Sequence, residues 1–177
     1  IALNRKNNLK ISKLKKKYKK KFIFISVDMK NFAEIEKIYN KKIKQIGQIF
    51  GLINNSAIAY DDLITNANDK KLEDMFRVNI FSPIMLSKLV IRNMILNKNQ
   101  GSIIHISSIA ANTGFKGLSM YGSTKGALES FSIGLAREWG RMGIRSNCIS
   151  PGFIKTNMSK KLDNEHIKKI IKRASLK

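Results

Sequence analysis

The stretch Gly101-Ser-Ile-Ile-His-Ile-Ser-Ser108 is followed by a segment of helical period, residues 121–142, and then by a second apolar run, residues 144–150. The first run has the continuous apolar core of a buried strand, and the middle segment is too long for a strand. The second run is short and ends at Pro151. A strand, a helix and another strand in this order predict two parallel strands joined by a right-handed crossover.

The same alternation of short apolar runs and helical segments extends toward residue 1. Further strands are predicted at residues 1–4, 22–27 and 50–54, and further helices at residues 8–20, 32–46 and 70–97. This order predicts the α/β class, as a three-layer, doubly wound parallel sheet of the Rossmann-like type. Its ligand crevice would lie where the strands end. Because no repeat or linker divides the chain, we expect residues 1–177 to form a single domain.

The chain is strongly basic, with 34 Lys and Arg against 12 Asp and Glu and a net charge of +22. Such a charge suggests nucleic acid or an anionic membrane as a partner, because Lys and Arg side chains that bind phosphates release their counterions. The excess is concentrated at residues 1–22, with ten basic and no acidic residues, and at residues 160–177. The basic residues are 27 Lys and 7 Arg, whereas phosphate sites favour the arginine fork. We interpret the charge as biased composition, and a basic nucleic-acid-binding scaffold is the alternative.

The composition also indicates the cellular compartment in which the protein is expected. The single cysteine, Cys148, cannot form an internal disulfide or a cysteine-based zinc cluster, and no metal site is predicted. No apolar run reaches the roughly 18–20 residues that cross a bilayer, and residues 1–10 hold no apolar signal core. We therefore expect a cytoplasmic protein without a membrane partner.

The most specific motif is Tyr121-Gly-Ser-Thr-Lys125, which begins a predicted helix 13 residues after Ser108. Positions i and i+4 share one helical face, so Lys125 is expected beside the Tyr121 hydroxyl. A tyrosine has a pKa of about 10, and a neighbouring cation is expected to lower it toward the range of proton transfer near neutral pH. Ser108, at a strand end, would hydrogen-bond a substrate carbonyl oxygen. Asn79 adds a polar group inside an otherwise apolar helix.

These four residues resemble the Asn-Ser-Tyr-Lys tetrad of the short-chain dehydrogenase/reductase family. Asn54-Asn-Ser-Ala57 resembles the family's Asn-Asn-Ala-Gly strand end, and Pro151-Gly-Phe-Ile-Lys-Thr156 resembles its Pro-Gly nicotinamide loop. The motifs follow the family's order and spacing over residues 1–158. Within the family, Leu135-Ala-Arg-Glu138 and the Pro151 loop are most similar to 3-oxoacyl-[acyl-carrier-protein] reductases.

The resemblance implies hydride transfer between a nicotinamide cofactor and a carbonyl or secondary alcohol. In such a site Tyr121 gives the proton and Ser108 steadies the carbonyl oxygen. Lys125 would lower the tyrosine pKa and hold the nicotinamide ribose, and Asn79 would support a proton relay. The cofactor-binding positions implied by the resemblance are Asp28, Met29, Asn54, Ser56, Ala57, Tyr121, Lys125, Pro151, Gly152, Ile154 and Thr156. It also implies a small-molecule or acyl-carrier-bound carbonyl substrate and a homodimer or homotetramer.

Arg5 follows the first predicted strand, at the position where dinucleotide enzymes choose between cofactors. An acidic residue there would bind the ribose 2′-hydroxyl, whereas an arginine accommodates a 2′-phosphate. With Arg5 and Lys6 and no acid nearby, NADP(H) is predicted, and NAD(H) is the alternative.

Three features depart from the family pattern. The chain has no G-x-x-x-G-x-G phosphate loop, and Ser56-Ala57 replaces Ala-Gly. A helix N-terminus with its backbone N–H donors would otherwise hold the diphosphate. The C-terminal stretch that supplies a last strand and the end of the substrate pocket in the family is also absent. We therefore expect a fragment that is incomplete at both termini, and a catalytically inactive copy is the alternative.

The remaining polar residues near these motifs are interpreted as structural. His105 lies within an apolar strand and is predicted to be a packing residue, in the core or on the cofactor side, rather than a base. His166 and Cys148 have no partner at ligand spacing. Packing and subunit contact are predicted for Glu129, Arg137, Glu138 and Trp139.

Overall fold

A computed structural model describes residues 1–154 together with Glu165 and Lys172. Within these residues the strands are β1 (Ala2–Asn4), β2 (Phe24–Ser26), β3 (Gly51–Asn54), β4 (Gly101–Ile106) and β5 (Ile144–Ile149). The α-helices are α1 (Leu9–Tyr18), α2 (Phe32–Ile38), α3 (Asp69–Phe76), α4 (Ser82–Leu96) and α5 (Ser119–Trp139). Strands and helices alternate as the sequence predicts. From Lys160 the basic tail is also predicted from the sequence to be a helix, and apart from Glu165 and Lys172 it lies outside the described residues.

Local capping fixes where several helices begin. Asn8, Asn31 and Asn68 precede α1, α2 and α3, and each side chain accepts the backbone N–H of the residue three positions later. An asparagine at this position satisfies one of the unpaired N–H groups of the first helical turn. Pro83 lies in the first turn of α4, where its missing N–H costs least.

Hydrogen bonding divides the parallel strands into two sections. β1 pairs with β2, and β3, β4 and β5 form a second section in that order. The sequence predicts one continuous sheet, but among the described residues no ladder joins the two sections. Leu3, Ile25 and Val27 of the first section and Leu52 of β3 nevertheless belong to one hydrophobic cluster. Side-chain packing therefore connects the sections, and the doubly wound α/β class is as predicted.

Helices lie on both faces of the strands. Ile25 is buried in the cluster that includes residues of α2 and α4. Phe24 points to the opposite face because neighbouring strand residues alternate, and Lys15 of α1 lies 5.7 Å from its ring centroid. Ile11 is the buried residue of α1. The three-layer arrangement is thus present, with α1 packed more loosely than the helices of the other face.

A second cluster packs α4 and α5 against β4 and β5. It contains Met94, Ile103, Leu135 and Ile144, all at most 7% exposed. The loss of this much apolar surface from water is the main stabilising term for the second sheet section. It also holds α5 against β4 and β5.

Residues 69–96 form one helical run, because a π turn, Arg77–Phe81, joins α3 to α4. By length and composition this run could cross a membrane, which the sequence interpretation did not anticipate. However, 61% of its apolar window is buried against the rest of the protein. The core helices of soluble domains share this property, so the run is weak evidence for a membrane span.

Candidate active site

The carboxyl ends of β3, β4 and β5 lie at the same sheet edge. Asn54 is in register with His105, and His105 with Cys148. The pairing continues past the strands, because Ser107 N–H donates to Ile149 O at 2.8 Å and Ile109 N–H donates to Pro151 O at 3.1 Å. The segments that begin at Ser107 and Ser150 therefore run side by side.

The side chain of Ser108 interacts with that of Tyr121, and this interaction lowers the pKa of the tyrosine. Ser108 also begins the short 3-10 turn Ile109–Ala111, and its Oγ accepts the N–H of Ala110 at 3.2 Å. The serine thus caps a turn and contacts the tyrosine at once. The turn fixes the serine backbone at the point where it faces α5.

Lys125 lies one turn after Tyr121 on α5 and is 2% exposed. Its Nζ is 5.6 Å from the Tyr121 ring centroid and donates a hydrogen bond to Ile106 O at 2.8 Å. Burial lowers the pKa of Lys125 to about 8, because a desolvated ammonium loses its hydration. The shared helical face predicted from the i, i+4 spacing is confirmed.

The pKa of Tyr121 moves in the opposite direction from the sequence prediction. Burial raises it, and the hydrogen bond from Ser108 lowers it in part. Tyr121 packs against a buried cluster that contains Tyr60, Met75 and Met120, so its phenolate form is poorly solvated. The expectation that Lys125 lowers this pKa is therefore wrong for the free protein. The tyrosine stays a neutral hydroxyl well above neutral pH.

Asn79 is fully buried within the π turn between α3 and α4. Its Oδ1 accepts Ile58 N–H at 2.9 Å, and its Nδ2 donates to Ile58 O at 2.9 Å and to Thr124 Oγ1 at 3.0 Å. The π turn, a feature that often marks functional sites, places the amide toward α5. Asn79 therefore reaches the residue beside Lys125.

The side chains of Asn54 and His105 point into the core. Asn54 Nδ2 is 3.3 Å from both Ser87 Oγ and His105 Nδ1. His105 has no exposed surface, packs edge-on against Phe131 and has its pKa lowered to about 4 by burial. The predicted core role of His105 is confirmed. Asn54 can offer only backbone groups to a ligand at the strand end.

Three predicted cofactor residues lie at the carboxyl ends of β1 and β2. Arg5 is exposed directly after β1, and its backbone carbonyl accepts Ser26 Oγ–H at 3.0 Å. Asp28 Oδ1 accepts Lys30 N–H at 2.9 Å in an Asx turn. Met29 is buried, and its carbonyl accepts a hydrogen bond from Ser82.

The other predicted cofactor residues lie in loops. Ser56 is exposed and Ala57 half-buried after β3. Pro151, Gly152 and Ile154 follow β5, and the half-buried Pro151 is tied to the Ser108 segment. Thr156 lies outside the described residues.

Glu129 is the polar residue of this region that the sequence interpretation assigned to packing. Its carboxylate accepts hydrogen bonds from Ser107 Oγ at 2.7 Å, Ser150 Oγ at 2.7 Å and Asn112 Nδ2 at 3.0 Å. The available signal was its spacing, since it lies four residues after Lys125 and eight after Tyr121. Ser107 and Asn112 flank one turn, whereas Ser150 follows β5, and only the fold brings these two segments to Glu129.

Comparison with known proteins identifies the group to which this arrangement belongs. Residues 1–167 match the family model described as short chain dehydrogenase. The chain belongs to the short-chain dehydrogenase family. The resemblance given by the sequence motifs is thereby confirmed.

Among curated short-chain dehydrogenase relatives, the chain is similar to 3-oxoacyl-[acyl-carrier-protein] reductases. It is 38% identical over 155 residues to the FabG reductase of Buchnera aphidicola subsp. Baizongia pistaciae, covering 88% of this chain and 63% of that protein. It is 36% identical over 133 residues to the Escherichia coli FabG reductase, covering 75% and 54%. The chain thus spans about three fifths of the length of these relatives.

A solved structure of the family superimposes on most of the chain. A 4-hydroxyisoleucine dehydrogenase mutant, complexed with NADH and succinate, matches with a TM-score of 0.88 and 26% identity, covering 97% of this chain and 70% of that one. The likeness confirms the Rossmann-like short-chain dehydrogenase fold.

Within this short-chain dehydrogenase, Ser108, Tyr121 and Lys125 form one contiguous group, and Asn79 joins it through Thr124. Arg5 and Asp28 follow strands of the other sheet section. Among residues 1–154, Glu165 and Lys172, no three His, Cys, Asp or Glu side chains are placed to hold a metal ion.

Proposed function

We propose that the chain carries the catalytic centre of an NADP(H)-dependent reductase that converts a carbonyl group to a secondary alcohol. The observation that carries the proposal is the grouping of Tyr121 with Lys125, whose Nζ lies 5.6 Å from the tyrosine ring centroid, and with Ser108, whose side chain lowers the tyrosine pKa. Membership of the short-chain dehydrogenase family supports oxidoreduction with a nicotinamide cofactor.

Tyr121 would donate the proton to the carbonyl oxygen of the substrate. A proton donor must be protonated before the reaction, and the raised pKa of Tyr121 meets this condition at neutral pH. The phenolate left behind would be stabilised by the hydrogen bond from Ser108 and by the positive charge of Lys125. Ser108 would orient the carbonyl oxygen toward the tyrosine.

The residues present fit the nicotinamide half of the cofactor, which supplies the hydride when bound. Lys125 is a buried ammonium whose pKa is lowered by desolvation and whose Nζ donates to Ile106 O. An ammonium has three N–H donors, and the ribose hydroxyls of the cofactor would supply further oxygen acceptors. Backbone groups of residues 54–57 and of Pro151, Gly152, Ile154 and Thr156 would line the ribose and carboxamide. Asn79 would support a proton relay behind Lys125.

The adenosine half would contact residues at the ends of β1 and β2. Asp28 and Met29 would hold the adenine, and the exposed Arg5 would bind a ribose 2′-phosphate. The chain has no G-x-x-x-G-x-G loop, so its residues fit the two ends of the cofactor better than its diphosphate.

The substrate we propose is a 3-oxoacyl group on an acyl carrier, with a small-molecule carbonyl compound as the alternative. Similarity to two FabG reductases supports it. The net charge of +22 adds to the case, because an acidic carrier protein would be attracted to a basic surface. We also propose a homodimeric or homotetrameric, cytoplasmic protein.

The test follows NADPH oxidation by the purified protein with acetoacetyl-acyl carrier protein. Replacing Tyr121 by Phe removes the proton donor and is expected to lower kcat by about 10² or more. Tyr18→Phe, at an exposed tyrosine of α1, should leave the rate unchanged. Equal rates for Tyr121→Phe and wild type would refute the proposal. Absence of turnover, with salt-dependent retention on DNA that is lost without residues 1–22, would instead support the scaffold alternative.

A further inference from the structure

The carboxylate of Glu129 connects three segments that surround the candidate active site. Its Oε1 accepts hydrogen bonds from Ser107 Oγ and Ser150 Oγ, both at 2.7 Å, and its Oε2 accepts one from Asn112 Nδ2 at 3.0 Å. Ser107 is 3% exposed and also lies 3.2 Å from Lys125 O. Glu129 is therefore held in a fixed position on α5.

Two of these donors flank the Ser108 turn, one before it and one after it. Ser107 directly precedes Ser108, and Asn112 directly follows the turn Ile109–Ala111 that Ser108 begins. The third donor, Ser150, follows β5 and precedes Pro151. One side chain thus holds both ends of the Ser108 turn and the end of β5 against the helix that carries Tyr121.

The charge of Glu129 suits this arrangement. Hydrogen bonds lower the pKa of the Glu129 carboxyl, and the bond from Ser150 has a larger effect than those from Ser107 and Asn112. Partial burial opposes this shift. The group is therefore ionised at neutral pH and can only accept. Hydrogen bonds to an ionised carboxylate are stronger than those between neutral groups, so the link resists loosening of the turn.

We propose that Glu129 is a positioning residue, which sets the place of Ser108 relative to Tyr121 and of the Pro151 loop relative to both. The proposal rests on the reductase function proposed above. Glu129 acts through its three partners, which are themselves outside the proposed catalytic group. Its loss would leave Ser108, Tyr121 and Lys125 chemically intact but would free the turn between residues 107 and 112.

The kinetic test compares wild type with Glu129→Ala. Misplacement of a substrate-orienting group is costly, so kcat is expected to fall about tenfold or more while KM for NADPH changes less. The rate is expected to fall at alkaline pH in two stages, first as Lys125, with a pKa of about 8, loses its charge. The second, more alkaline limb of kcat reports loss of the proton from Tyr121, which faces Ser108, Lys125 and the cluster with Tyr60. Because the Ser108 hydrogen bond lowers the Tyr121 pKa, its weakening should move this limb to higher pH.

A second readout does not depend on activity. The N–H groups of Ile109 and Ala110 are held by Pro151 O and Ser108 Oγ, so Glu129→Ala should speed their hydrogen exchange. The matched control is Ser132→Ala, which removes a 2.9 Å link between α5 and Ser146 of β5, farther along the same helix. It should weaken global stability without changing the exchange of these two amides or the pH profile.

The conservative variant Glu129→Gln tests whether the hydrogen bonds of residue 129 are sufficient without its negative charge. In Glu129→Gln the hydroxyls of Ser107 and Ser150 can rotate and the amide of Asn112 can turn over, so all three links can re-form. Most of the lost kcat and amide protection should return. Glu129→Ala matching Ser132→Ala in exchange and pH profile would overturn the proposal, as would failure of Glu129→Gln to restore protection. An inactive wild type would refute the reductase function, and the exchange result would still decide the role of Glu129.

Discussion

The buried amide of Asn79 donates a hydrogen bond to Thr124 Oγ1 at 3.0 Å, which joins the π turn between α3 and α4 to the residue directly before Lys125. The same amide satisfies both backbone groups of Ile58. One side chain therefore connects the loop after β3, the long central helix and α5. Asn79 is therefore bonded to the segment of α5 that carries Lys125.

Replacing Asn79 by Ala is expected to lower the free energy of unfolding by about 2–4 kcal/mol. The substitution removes the hydrogen bonds of Asn79 to the part-buried N–H and C=O of Ile58 and to the buried Thr124 Oγ1. A buried polar group left without its partner costs roughly 1–3 kcal/mol. Urea unfolding measures the change. Asn40→Ala is the control, because Asn40 is exposed in the other π turn, Tyr39–Ile43, and should change stability by less than about 0.5 kcal/mol. A similar loss in both variants would contradict the linking role of Asn79.

Replacing Lys125 by Met should stabilise the free protein at pH 7 while abolishing reductase activity. The lysine pKa is about 8 in the folded protein and 10.5 in its ordinary state, so holding the ammonium in the fold costs at most about 3 kcal/mol. The lost hydrogen bond to Ile106 O offsets part of the gain. Such a conflict between stability and activity is common at catalytic positions.

The lowered pKa of Lys125 also predicts how the stability of the protein changes with pH. Between pH 8 and 10.5 the unfolded chain binds more protons than the folded one, so the stability of the wild type rises with pH in this window. The advantage of Lys125→Met should therefore be largest at pH 7 and shrink by pH 10. Chemical unfolding at both pH values measures it, with the exposed Lys88→Met as control. A destabilised Lys125→Met at pH 7 would show that the ammonium is well solvated.

The order of strands and helices could be predicted from the sequence because it depends on local apolar periodicity. The nearness of Tyr121 and Lys125 followed from helical spacing alone. The direction of the Tyr121 pKa shift could not be predicted, since it depends on burial against Met75 and Met120 from distant segments. Local spacing thus predicts neighbours, whereas electrostatics needs the tertiary environment.

The roles of Asn54 and Glu129 could not be predicted from the sequence either, because both depend on tertiary contacts. The role of Asn54 depends on its register with His105, which turns its amide into the core. The hydrogen bonds of Glu129 depend on two segments distant from it in the chain, one with Ser107 and Asn112 and the other with Ser150. Neither the register of two strands nor the meeting of distant donors at one carboxylate can be recognised from the residues of a single segment. Likewise, apolar patterning of β1 and β3 does not reveal that no ladder joins them.

Acid should destabilise the protein through His105. Its pKa is about 4 in the fold against an ordinary 6.5, so the unfolded chain takes up a proton first as the pH falls. Stability is therefore lost between pH 6.5 and 4, by at most about 3 kcal/mol. His105→Gln keeps an acceptor for Asn54 and should flatten this part of the profile measured by urea unfolding. Glu73 and Asp74, whose pKa values are lowered by hydrogen bonds from Arg77 and Lys30, act in the same direction at lower pH. An unchanged slope in His105→Gln would contradict the prediction.

Arg5→Asp should shift the cofactor preference from NADPH toward NADH. The variant would remove the proposed charge-assisted contact to the 2′-phosphate. Such a contact is worth about 1.5–3 kcal/mol, which corresponds to roughly tenfold to hundredfold in the ratio of kcat/KM values. The measurement compares both cofactors with one substrate. Lys10→Asp, an equal charge change on exposed α1, controls for the general loss of positive charge. An equal change in both variants would mean that Arg5 contributes only to the overall field.

A methyl group at Gly122 should disturb the site, whereas one at Gly126 should not. An ideal Cβ on Gly122 would lie 2.5 Å from Ala110 O, in the turn that begins at Ser108, whereas a Cβ on Gly126 meets nothing within 4 Å. Gly122→Ala must therefore push the turn away from α5, at a cost of about 1–3 kcal/mol, and lengthen the contact between Ser108 and Tyr121.

Gly126→Ala is the matched control, because it adds the same methyl one turn later on the same helix. It should stabilise α5 by up to about 1 kcal/mol, since alanine loses less backbone freedom than glycine in a helix. Urea unfolding and the rate of NADPH oxidation separate the two variants. If Gly122→Ala gained stability and kept its rate like Gly126→Ala, the close approach of α5 to the Ser108 turn would be absent in solution. The expected opposite signs would tie the position of Ser108 to the missing side chain at residue 122.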